Sequence, residues 1–207
     1  MIRYLFIAFL FLSLTVKNES YVKIKDTTEV KKKIKDKSTS TNTLSANFSE
    51  KKLSSMYNTP KTGKGILLFK KKDKIRWEHT EPISQIILID GDKVKYQEDK
   101  KEVKNTTSTK IVKKIQSLMV NLISGDFLNE KEFKIEYYTN QVNYKLILKP
   151  TSSRLSKYIQ SVELIFEMNS LALKEMTLSE SETEKVIYSF SDVKFNKTIE
   201  DSKFSKF

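Results

Sequence analysis

The sequence predicts a mainly β fold with α elements, built as one large curved antiparallel sheet of about ten strands under a helical cover. Three observations carry this. Apolar and polar residues alternate with period two in run after run, turn signals such as Asp90-Gly91, Pro60 with Gly63, and Pro82 punctuate the runs, and two stretches switch to the spacing of an amphipathic helix. The frame is one medium-sized domain: the chain has 207 residues, 38% of them apolar and 31% charged, enough strong apolar types for a single core.

Arg3 precedes the apolar run Tyr4 to Leu12, which continues weakly to Val16 and ends at Lys17, Asn18 and Glu19. An apolar core of about 13 residues is short of the roughly 20 that cross a bilayer as a helix and fits a secretory leader. We expect a signal peptide over residues 1–20, cut between Thr15 and Ser20, and a single domain over 21–207; an uncleaved N-terminal anchor is the alternative. Loss of Arg3, Lys17 and Glu19 lowers the formal charge of +12 by one, so the exported protein stays basic.

From Asp26 to Lys37 the pattern is a short helix, with Asp26 as N-cap, Glu29 closing a capping box, and Val30 and Ile34 stacked at i, i+4. Ser38 to Asn42 ends it. Leu44, Ala46 and Phe48 then alternate with Ser45, Asn47 and Ser49 as a strand. Gly65 to Phe69 and Ile75 to Glu78 flank Lys70 to Lys74 as a hairpin, and Ile86 to Ile89 pairs with Val94 to Gln97 across the turn dipeptide Asp90-Gly91. Ser108 caps a second helix, to Ile123, in which Ile111, Ile115, Leu118, Met119 and Leu122 form the apolar face. The strand pattern returns in Ile135 to Tyr138, Tyr144 to Lys149, Val162 to Met168, Leu171 to Leu178 and Val186 to Phe190. Each of these strands has one wet and one apolar face.

Composition removes whole classes of chemistry. With no cysteine there is no thiolate metal site, thiol nucleophile or disulfide, and a single His79 leaves no imidazole pair for zinc. No phosphate loop, nucleophile elbow, HExxH or EF-hand spacing occurs. The carboxylate pairs Glu180 with Glu182 and Glu98 with Asp99 sit in polar stretches, where nothing raises a pKa for acid catalysis. We expect no enzyme and no cofactor. The lysine runs 31–33, 51–52, 70–72 and 100–101 are scattered over separate hairpin ends and arginine is nearly absent, so solvated faces explain them better than nucleic acid; an acidic partner or anionic lipid surface comes next.

An open sheet with one apolar face needs covering, and the two helices supply little material. Either the sheet curls and fills, or it leaves an apolar hollow under a helical lid that can take a ligand.

The helix at Asp26 to Lys37 is followed by 44–51 (Leu-Ser-Ala-Asn-Phe-Ser-Glu-Lys), the block 63–78 ending in Ile75-Arg76-Trp77-Glu78, Pro82, the run Ile86 to Gly91, and the closing segment 190–196 with Ile199, Asp201 and Phe204. As a series these segments resemble the periplasmic outer-membrane lipoprotein carrier family, LolA, especially its Bacteroidota-type members. The resemblance implies an incomplete antiparallel β-barrel of about 10–11 strands closed by a helical lid, and a protein that shields the acyl chains of triacylated lipoproteins. The implied partners are an inner-membrane ABC transporter of LolCDE type and an outer-membrane acceptor of LolB type, with the carrier itself a monomer. Lacking a lipobox cysteine, the chain is similar to the soluble carrier rather than the anchored receptor. Where family members often have Arg-Pro ahead of the Trp strand, with the Arg bonding lid carbonyls, this sequence reads Lys71 and Lys72, which makes Lys71 the lid-latch candidate; an ammonium is a point charge rather than a planar fork of donors.

The task is physically coherent without catalysis. Three acyl chains of roughly 16 carbons hide on the order of 38 kcal/mol of gross transfer free energy at about 0.8 kcal/mol per CH₂, so release into water is excluded. Residues expected to face the lipid are Phe48, Ile75, Trp77, Ile86 and Leu88 on the strands and Leu118, Met119 and Leu122 on the lid helix. A carrier of a free lipid or glycolipid on the same fold is the alternative, and a tethered envelope-stress sensor a third class.

Overall fold

The computed structural model describes residues 20–71, 73–91, 93–103, 128 and 130–207. The leader and the predicted helix from Ser108 to Ile123 lie outside them. In chain order the elements are β1 (Val22–Lys23), α1 (Thr28–Ser40), β2 (Thr43–Leu53), β3 (Lys61–Lys70), β4 (Lys74–Glu81), β5 (Gln85–Asp90), β6 (Lys93–Glu98), β7 (Lys101–Glu102), β8 (Phe133–Thr139), β9 (Asn143–Pro150), a one-turn α2 (Ser153–Ser156), β10 (Ser161–Glu167), β11 (Leu173–Ser179), β12 (Lys185–Phe195) and a 3-10 turn (Asp201–Phe204).

All described strands join one antiparallel sheet in the order β1-β8-β9-β10-β11-β12-β2-β3-β4-β5-β6-β7. Most neighbours are consecutive hairpins; the long joins are β12 to β2 and β1 to β8. The two edge strands have two residues each and do not pair with one another, so the barrel is incomplete, as expected. Register shifts at Lys64/Gly65, Ile165/Phe166 and Ser191/Lys194 curl the sheet. The β5–β6 turn uses Gly91 at φ +57, a conformation that favours glycine.

Period two fixes which side chains face inward. Across β2, β3, β4 and β5 the inner rows are Ala46, Leu67, Trp77, Ile87 and Leu44, Phe69, Ile75, Ile89. On the other half, Tyr137, Leu146, Leu164, Met176 and Tyr188 form one continuous inner row. Leu146, Leu164 and Met176 have no exposed surface at all.

Two expectations change here. Ile86 and Leu88 do not face inward: Leu88 pairs with Arg76 and Ile86 with Glu78, which puts both on the back of the sheet, while Ile87 and Ile89 take the inner positions. The back is buried there because the C-terminal segment crosses it. Its 3-10 turn packs on β4 and β5, Phe204 is buried, and Arg76 Nη1 donates to the carbonyls of Lys203 (3.1 Å) and Lys206 (2.8 Å). The second change is at the start of α1. Asp26 Oδ1 accepts from the Thr28 amide at 3.0 Å, but the helix begins at Thr28 after a Thr27 whose side chain caps nothing, and Glu29 pairs with Lys33 instead of closing a capping box.

Candidate functional site

Helix α1 packs on the inner face of the curled sheet. Its thirteen residues bury two side chains, Val30 and Ile34, both in the main core cluster. Beneath its C-terminal half is an apolar cavity of about 80 Å³. Ile34, Lys37, Ser38 and Thr41 form the helical wall; Leu44, Ala46 and Leu67 from β2 and β3, Leu164 and Phe166 from β10, and Phe190 from β12 form much of the sheet wall. Pockets that hold a small ligand run to about 300–1,000 Å³. This one is smaller, and on its helical side α1 is held by two buried side chains, Val30 and Ile34.

The C-terminal end of α1 is clamped. The last four carbonyls of a helix have no partner inside it. Here Thr41 Oγ1 donates to the Lys37 carbonyl at 2.7 Å and the Thr41 amide to Ser38 at 3.2 Å. Lys71 Nζ reaches the Thr39 carbonyl at 2.8 Å, and Asn196 Nδ2 the Ser40 carbonyl at 3.1 Å. Asn196 Oδ1 also accepts from the Asn42 amide at 2.7 Å, so the end of β12, the turn after β3 and the exit of α1 meet at one point.

Among the described residues that line the cavity, Lys37 is the one that carries a charge. Its ammonium stands 3.5 Å from the centroid of the Phe195 ring, and burial lowers its pKa.

Beside the cavity an aromatic layer fills the barrel. Phe48 and Trp77 stack at 4.7 Å, Tyr188 stands edge-on to Trp77 at 5.0 Å, and Phe190, shared with the cavity wall, stands edge-on to Trp77 at 6.3 Å. Below it lies a buried polar group. His79 Nε2 is 3.0 Å from Glu50 Oε2, Lys52 Nζ is 3.2 Å from Oε1, and Tyr188 donates to the same carboxylate. Burial pushes the Glu50 pKa up, but these hydrogen bonds and charges outweigh it and hold the carboxyl at about 2. Burial, then Glu50, raises Tyr188 well above its ordinary value.

Phe48, Ile75 and Trp77 are therefore inside, in the layer next to the cavity rather than on its lining. Ile86 and Leu88 are on the opposite face. Leu118, Met119 and Leu122 lie outside the described residues. Lys71 bonds a carbonyl of α1. The lining residues Ile34, Leu67 and Phe190 stood in predicted elements, yet period alone does not separate a wall from packed core. No helix among the described residues is long and apolar enough to cross a membrane.

A curled open sheet around an apolar cavity, roofed by one lightly buried helix, defines a binder of apolar ligands. The chain belongs to the LolA family, described as outer membrane lipoprotein carrier protein, whose model matches residues 39–206. It is 23% identical over 157 residues to the outer-membrane lipoprotein carrier protein of Nitrosomonas europaea, covering 76% of this chain and 74% of that one. It is 24% identical over 157 residues, with the same coverage, to that of Nitrosospira multiformis. The crystal structure of a LolA superfamily protein from Nitrosomonas europaea covers 84% of this chain and 97% of its own, with TM-score 0.44 and 13% identity. The protein has a lipoprotein or lipid carrier role; proteins of this family are carrier chaperones, not enzymes, and work in the periplasm.

Proposed function

We propose that the protein, after export, takes triacylated lipoproteins from an inner-membrane ABC transporter of LolCDE type, shields their acyl chains as a monomer, and hands them to an outer-membrane acceptor of LolB type. The observation that carries this reading is the cavity whose roof is α1. Burying Val30 and Ile34 stabilises the closed roof by about 3–6 kcal/mol in total, small against the gross transfer free energy of three acyl chains. Cargo therefore lifts the roof, and the roof alone cannot eject cargo. Loading needs an energy-driven donor, and unloading needs a second apolar site in direct contact.

In this reading Lys71 is the latch that returns α1 over the mouth, and Phe48, Ile75 and Trp77 are the floor on which chains lie once Phe190 shifts. Native mass spectrometry of the protein isolated from its own periplasm is the test. A one-to-one complex with an acylated polypeptide is expected; free lipid as the sole cargo would overturn the lipoprotein assignment in favour of the free-lipid carrier.

A further inference from the structure

Lys37 differs from the other lysines whose partners are seen on α1. Lys32 and Lys33 each have a carboxylate 2.6 Å away, Asp36 and Glu29, within the helix. Lys37 has no carboxylate within ion-pair distance among the described residues; its ammonium rests on the Phe195 ring at the cavity wall. The other described lining residues are uncharged and mostly aliphatic or aromatic. A half-buried cation without a counter-ion costs free energy, and an anion arriving with an apolar body relieves that cost while filling the hollow.

We propose that the cavity beneath α1 also takes a long-chain fatty acid, its carboxylate on the Lys37 ammonium and its single chain along Leu44, Ala46, Leu67 and Phe190. One cation matches one monoanion. An ester- or amide-linked acyl group brings no charge to Lys37, and a diacyl phosphodiester brings the anion with twice the chain volume into a hollow of about 80 Å³. The inference rests on the reading that this cavity holds acyl chains, and it adds a head-group site to it.

Equilibrium dialysis of radiolabelled palmitate, methyl palmitate and dipalmitoylphosphatidylglycerol against the exported chain tests it. Palmitate should bind about tenfold more tightly than its methyl ester, the worth of one charge-assisted hydrogen bond. Lys37→Met should bring palmitate down to the affinity of the ester, and Lys37→Arg should keep the preference, with thermal melts confirming that both variants fold. Equal binding of acid and ester by the wild type would overturn the head-group site and leave the acyl cavity standing. Binding of neither would remove the cavity reading and this inference together. Phosphatidylglycerol binding as tightly as palmitate, with the same loss in Lys37→Met, would overturn the single-chain assignment.

Discussion

The ammonium of Lys71, on the turn that follows β3, donates to the main-chain carbonyl of Thr39 at 2.8 Å, so one flexible side chain joins β3 to the C-terminal end of the roof helix, beside the bond from Asn196. The Lys71 amide is fixed separately on the Asn42 carbonyl at 2.8 Å, which leaves the ammonium as the movable half of the joint. Lys71→Met should raise the hydrogen-exchange rate of the α1 amides and speed cargo release, with little change in overall melting because the side chain is exposed. Lys71→Arg should slow exchange below the wild-type rate, since a guanidinium offers several donors to the same carbonyls. Unchanged α1 exchange in Lys71→Met would show that Asn196 and Thr41 suffice to hold the helix.

Gly65 makes room for the aromatic layer. A Cβ at this position would lie 2.4 Å from Phe48 Cζ and 2.0 Å from the Glu78 carbonyl oxygen. Gly65→Ala should therefore cost about 2 kcal/mol or more in urea denaturation, by overpacking. Adding Phe48→Leu should recover only part of the loss, because the Glu78 obstacle is backbone. Full recovery in the double variant would mean that β4 can shift to make space.

The alternation that revealed the sheet also explains where inference from sequence stops. Leu44, Ala46 and Phe48 alternate with polar residues, and their inward direction is legible in that alternation. Ile86 to Ile89 is apolar at every position, so the sequence offers no phase, and Ile86 with Leu88 is as eligible for the inner row as Ile87 with Ile89. The phase comes from pairing with β4, and both faces are apolar because a segment more than a hundred residues later covers the back. Lys37 was equally hidden. In sequence it is one lysine among five in α1, and only the curl of β12, which brings Phe195 beneath it, distinguishes it from its neighbours. The helix C-terminus moved for a similar reason: Ser38 to Ser40 are weak helix formers, yet carbonyl partners from Thr41, Lys71 and Asn196 carry the helix through them.

Glu50 gives the protein an acid-sensitive component. Its folded-state pKa of about 2 lies below its ordinary 4.5, so its contribution to stability is complete above about pH 4.5 and is lost as pH falls toward 2. Glu50→Gln should lower stability at neutral pH, and the gap between wild type and variant should narrow as the pH drops through that window. Other carboxylates are depressed too, so the comparison must be the difference between the two proteins, read from urea midpoints at a series of pH values. A gap that stays constant from pH 5 to 2.5 would show that the buried carboxylate does not titrate there.

Arg76 decides whether the C-terminal segment stays on the back of the sheet. It is 8% exposed, its Nε donates to Glu78 Oε2 at 2.6 Å, and its Nη1 reaches the carbonyls of Lys203 and Lys206. Lys70 and Lys95 add bonds to the carbonyls of Ile199 and Ser205, but both ammoniums are nearer solvent. Arg76→Met fills the volume of the stem and removes every donor, leaving Glu78 without its guanidinium and two carbonyls unpaired, at a cost of about 2–4 kcal/mol. Phe204, 2% exposed in the intact protein, would then lose the anchor beside it. Trypsin should cut after Lys203 in the variant at protease concentrations that leave the wild-type segment whole, which mass spectrometry of the released peptide would read directly. Arg76→Lys should fall between the two, since one ammonium cannot serve Glu78 and both carbonyls in the same geometry. Equal trypsin resistance of Arg76→Met and wild type would assign the anchoring to Phe204 and the flanking lysines instead.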